Sequence, residues 1–125
     1  MADFDWVTER ANCSVEKVFR SLELGAKSDV DRRNASRKEG ETIKWNTASS
    51  GNRFSVFRDG GDWKPKSIEF IRDAEGVLVE EDGVQAFYAS LTINDNGHCR
   101  LRVEKRELEE WQVRRRALED LFFQS

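Results

Sequence analysis

Few side chains in this sequence are equipped for chemistry: one histidine, His98; two cysteines, Cys13 and Cys99; and carboxylate runs such as Glu80-Glu81-Asp82 and Glu109-Glu110. Nucleophilic catalysis needs a thiol or hydroxyl beside a base. His98 and Cys99 are adjacent, but neighbouring side chains on a strand point to opposite faces, so the pair does not meet. Cys99 then reads as a small core residue and His98 as an exposed turn residue. A closed zinc site takes about four Cys or His ligands, more than this chain holds. Thr92 to Gly97 loosely resembles a calcium loop, yet Val103 stands where the bidentate Glu belongs. Gly60-Gly61 has neither the following helix nor the lysine of a phosphate-binding loop. No spacing sets two carboxylates across a cleft. The sequence therefore offers no catalytic, cofactor-binding or metal-ligating set, and a non-enzyme is the expectation. An enzyme using His98 or a carboxylate is kept as an alternative.

The aromatic residues are the other resource. Eight Phe and four Trp in 125 residues supply large buried areas to a chain that is 36% charged. Arg53, Phe54, Phe57, Arg58, Trp63, Lys64 and Lys66 interleave cations with rings as a single-strand-binding sheet would. Phe54 and Phe57 fall on opposite faces of a strand, however, and the net charge of −3 opposes a polyanion, so nucleic acid is set aside. Trp45, Phe87 and Trp111 are candidates to line a pocket between a curved sheet and a helix. Phe122 and Phe123, with Trp63, are candidates for an interaction surface, because an apolar carboxy terminus frays into water unless it docks.

The elements that must position these residues are legible from period and turns. Val15, Val18, Phe19, Leu22, Ala26 and Val30 recur at spacings of three and four, predicting a helix from Ser14 to about Lys38 with Ser14 as N-cap. Gly25 leaves open whether it is continuous, and its polar half from Ser28 is expected either to project past the core or to form a separate turn of helix beginning at Ser28. After Gly40 the period changes to two. Strands are predicted at Thr42–Ala48, Arg53–Asp59, Lys66–Arg72, Val77–Glu81, Val84–Ile93 and Cys99–Glu104, with Asp82-Gly83 and Asn96-Gly97 as tight hairpin turns. A closing helix is predicted at Glu107–Phe122, with Glu110 and Arg114 as an i,i+4 pair. The fold class is α+β: an N-terminal helix, an antiparallel meander of five or six strands and a C-terminal helix, with a helix packed on one sheet face. That order is similar to cystatin-like and helix-grip architectures, a likeness of fold that carries no function.

Residues 1–125 fit a single domain, since no Pro/Gly/Ser-rich linker or repeat divides them. Charge is split along the chain: Asp73 to Cys99 holds six Asp or Glu and no Lys or Arg, whereas Arg100 to Arg116 is rich in arginine. Cys13 and Cys99 are expected as reduced thiols. Without a basic, apolar leader or a run of about 18 apolar residues, the expectation is a soluble cytoplasmic protein that binds no membrane. The leading functional expectation is a non-enzymatic protein-interaction module that self-associates, as a homodimer or other homo-oligomer. The alternative is a carrier of a small apolar ligand. No cofactor is expected.

Overall fold

A computed structural model describes residues 3–125. Its elements run α1 (Trp6–Asn12), α2 (Val15–Ala35), β1 (Lys44–Ser50), β2 (Arg53–Asp59), β3 (Lys66–Arg72), β4 (Gly76–Glu81), β5 (Val84–Ile93), β6 (Cys99–Val103), β7 (Arg106–Leu108) and α3 (Glu110–Phe123). The strands form one antiparallel sheet in sequence order, β1 through β7. The fold is therefore α+β as expected, with one strand more than predicted.

The period-two pattern translates directly into a two-sided sheet. Phe54 and Val56, Ile68 and Phe70, Val77 and Val79, Phe87 and Ala89, and Leu101 and Val103 point to the helices and are buried. Phe57, Ile71, Leu78 and Tyr88 lie on the other face, half-exposed. On the inner face α2 contributes Val18, Phe19, Leu22, Ala26 and Val30, and α3 contributes Val113, Ala117, Leu118, Leu121 and Phe122. Phe54 stacks on Phe70 at 4.5 Å and meets Phe19 of α2 at 5.1 Å.

Helix α2 is unbroken through Gly25, and the reason for that glycine is tertiary. A Cβ there would collide with the guanidinium of Arg114, which crosses from α3 to bond Asp29 at 2.7 Å. Arg114 thus pairs with α2 rather than with Glu110, because the interhelix partner lies in a partly dry crossing where the charges are less screened.

The polar half of α2 does not project into solvent. Asn34 clasps the backbone of edge strand β1: the Trp45 N–H donates to Asn34 Oδ1 (3.0 Å), and Asn34 Nδ2 donates to the Trp45 carbonyl (2.8 Å). The polar residues there satisfy sheet-edge groups, a task that leaves no apolar period to read.

Two elements carry no signal in the sequence. Helix α1 buries none of its residues, so it has no apolar stripe; it is held by its cap, Asp5, which accepts from the Thr8 N–H at 3.0 Å. Strand β7 follows a two-residue turn of Glu104 (φ 51°) and Lys105 (φ 71°), a left-handed pair that normally calls for Asn or Gly. Asp82-Gly83 makes the expected tight turn between Glu81 and Val84. The β5–β6 hairpin is one residue wider than expected: Asn94 closes on His98, with Gly97 at the left-handed position.

Cys13 and Cys99 are joined by a disulfide, with Cα atoms 5.6 Å apart. This corrects the expectation of two reduced thiols. The missing signal was α1, whose end brings Cys13 over the start of β6.

Candidate functional site

Two buried guanidiniums organise the carboxy-terminal end of α3. Arg33 Nε donates to the Phe122 carbonyl at 2.8 Å, and its guanidinium lies 4.1 Å above the Trp45 ring. Arg58 donates from Nε to the Lys64 carbonyl (2.7 Å) and from Nη1 to the carbonyls of Leu121 (3.0 Å) and Gln124. Trp45 Nε1 donates to the Leu121 carbonyl at 2.9 Å. Neither arginine meets a carboxylate among the described residues; the negative end of the α3 dipole and its orphan carbonyls take that place. Burial holds the Arg58 guanidinium below its ordinary value.

This clamp decides where the candidate aromatics lie. Trp45 is fully buried, edge-on to Trp63 at 5.7 Å and to Phe122 at 6.1 Å. Trp63 is half-buried and covered by Arg58, so most of its surface is spent inside the molecule. Phe122 is buried, Phe123 exposed. Phe87 is buried beneath Arg116, and Trp111 is half-exposed on α3. Trp45, Phe87 and Trp111 therefore do not converge on one space.

Two depressions flank Trp111. The first, about 520 Å³, runs between the outer faces of α2 and α3. Leu118 and Phe122 form its floor; Trp111 and Phe123, 50% and 65% exposed, stand along it. Its walls hold Arg32, Arg33, Arg114 and Arg115 against two carboxylates, Asp29 and Glu119. Both carboxylates are already engaged, Asp29 by Arg114 and Glu119 by Arg115 at 3.1 Å. Arg32 has no ion pair among the described residues. The groove is thus basic on an acidic molecule. The sequence held a trace of it: Asp29, Arg32, Arg33 and Ser36 recur at helical spacing, as do Trp111, Arg114, Arg115, Leu118 and Phe122.

The second depression, about 460 Å³, lies between a helix and the sheet, with Leu91, Leu101 and Leu108 as its floor. Val18 and Trp111 wall it together with Arg100, Glu109, Glu110 and Arg114, and Glu9 and Asn12 of α1 also line it. Of the three expected pocket residues only Trp111 reaches it.

The sole histidine lies against a ring and a carboxylate. His98 stacks on Phe4 at 4.4 Å, with Nδ1 4.0 Å from Glu9 Oε2, the oxygen that accepts the Cys99 N–H at 2.7 Å. Among the described residues no three His, Cys, Asp or Glu side chains group to hold a metal ion, and no helix is long and apolar enough to cross a membrane. No family model, curated protein or solved structure matches the chain.

Proposed function

We propose that this chain is a non-enzymatic protein-interaction module that self-associates through the outer faces of α2 and α3. The observation that carries the reading is the arginine-walled groove with two large aromatics standing in solvent beside it, the residue types that dominate interface energetics. The sheet edges are poorer docking sites. Asn34 occupies the backbone of β1 at Trp45, and β7 is three residues long.

A second copy of the chain supplies a matching surface. Around β4 stand Glu75 in the turn before it and Glu80 near its end, neither ion-paired among the described residues, and Val84 at the start of β5, 70% exposed. Two grooves face to face would oppose arginines, so in a symmetric pair the groove of each copy meets the acidic turns of the other. Native mass spectrometry, with and without Trp111→Ala and Phe123→Ser, tests this. The expected result is a salt-sensitive dimer that the double variant converts to folded monomer. A wild-type monomer across the micromolar range overturns it. Phe122 is left intact, since its ring is part of the core.

The carrier reading is favoured by the second depression, whose leucine floor and Trp111 wall suit a small apolar body. A reproducible adduct mass on gently purified monomer would support it over association. The cytoplasmic placement stands as part of the proposal and makes a demand on the disulfide, because thiols there are held reduced. Trapping free thiols at the moment of cell lysis decides it.

A further inference from the structure

We infer that the Cys13–Cys99 bridge is a reducible latch, which a dithiol reductant opens to free α1 from the wall of the leucine-floored cleft. Three observations carry this. Helix α1 has seven residues and buries none of them, so neither its length nor its packing sustains it alone. Beyond the bridge it is held only by polar and edge contacts: Glu9 on the Cys99 N–H, Phe4 on His98, and the exposed Lys17 Nζ, which donates to the Ala11 carbonyl and to Asn12 Oδ1. Glu9 and Asn12 line the cleft that holds Leu91, Leu101 and Leu108, so release of α1 takes away part of its wall.

The two sulfurs are not equivalent. Cys13 is buried, whereas Cys99 is half-exposed and lines the cleft. A thiolate of the dithiol attacks the Cys99 sulfur, the S–S bond breaks, and Cys13 leaves as thiolate and takes up a proton. The second thiol of the reductant then attacks its own sulfur in the mixed disulfide and expels Cys99 as thiol. The protein bridge gains two electrons and two protons; the dithiol loses the same and becomes a cyclic disulfide. Once the bond is cut, α1 is tethered only through Cys13 and Ser14 at the start of α2, and the effective concentration that kept Glu9 and Phe4 docked falls.

Hydrogen exchange of the folded protein with and without dithiothreitol tests the latch. Reduction is expected to bring the amides of residues 6–12 to the rate of an unstructured peptide while β5 and β6 keep their protection. Binding of the apolar dye anilinonaphthalenesulfonate is expected to rise severalfold at the same time, and Leu91→Arg, at a half-exposed residue of the cleft, to abolish that rise. Unchanged protection of residues 6–12 overturns the inference. So does equal loss across β5 and β6, which would make the bridge a clamp on the whole fold. If Cys13→Ser folds, it reproduces the reduced pattern without reductant; a Cys13→Ser protein with the oxidised pattern also overturns it.

Discussion

Arg58 and Tyr88 each owe their behaviour to burial plus one set of partners. Arg58→Ala strips donors from the carbonyls of Lys64, Leu121 and Gln124, and leaving a buried acceptor unpaired costs about 1–3 kcal/mol. Chemical denaturation is expected to show a loss of that size or more. Arg58→Lys is expected to recover little of it, since an ammonium cannot span carbonyls the way a planar fork does. Tyr88 is the only tyrosine, so its titration is read without overlap from another phenol. Burial pushes its phenol up to about 12, helped by its hydrogen bond to Asp73 Oδ1 at 2.7 Å. The same bond, with the N–H groups of Glu75 and Gly76, holds the Asp73 carboxyl below its usual range. The signs follow. Tyr88 stabilises the fold fully below its unfolded value of 10.0, and that contribution is lost as the pH climbs towards 12. Asp73 stabilises above the ordinary carboxylate value, and its contribution is lost as the pH falls through its depressed one. Ultraviolet pH titration is expected to place the phenol near 12 in the folded protein, and Asp73→Ala to bring it part of the way down. At Gly25, alanine gains about 1 kcal/mol of helix propensity but displaces Arg114 from Asp29. Gly25→Ala is therefore expected to stabilise the Arg114→Ala protein by about that amount and the wild type by less.

At the scale of elements, the sequence signals were strongest where one side chain in two, or in three to four, meets the core. Strands β2, β3 and β5 begin and end where alternation predicts, and α2 follows its stripe from Ser14. The signal failed where structure is held by polar atoms or by backbone strain. The end of α2 is fixed by Asn34 on Trp45 and Arg33 on Phe122, contacts that leave no hydrophobic period. Strand β7 hangs on the left-handed Glu104 and Lys105. That strain is a testable cost: Lys105→Gly is expected to stabilise the protein by about 1 kcal/mol in thermal or denaturant unfolding. Helix α1 hangs on Asp5, whose carboxyl is held low chiefly by the Thr8 N–H. Its cap is present above the ordinary carboxylate value and lost as the pH falls through the depressed one. The protection of the α1 amides against exchange, relative to an unfolded peptide at the same pH, is expected to fall in acid before that of any strand.

For the molecule as a whole, the groove was less legible than the fold because it is made between elements. Phe123 and Trp111 were visible as apolar residues near the carboxy terminus, but Arg32 and Arg115 become its walls only once α2 and α3 lie side by side. Trp45 and Phe87 were visible as large rings, yet the closing of the α3 end by Arg33 and Arg58 turned Trp45 into core. The bridge between Cys13 and Cys99 spans 86 residues, and loss of such a link costs about 2–5 kcal/mol. A lower melting temperature in reductant, with the strands still formed, is the expected outcome.

That bond also decides how the molecule carries a mechanical load. Everything from α2 to β5 lies inside a closed covalent ring, while α1 and the chain from β6 onward hang outside it. Tension applied between the two ends of the chain crosses from Cys13 to Cys99 and bypasses β1 through β5. While the ring is closed, those five strands cannot be drawn out; only the two tails lengthen. Opening it adds the whole enclosed segment to the slack.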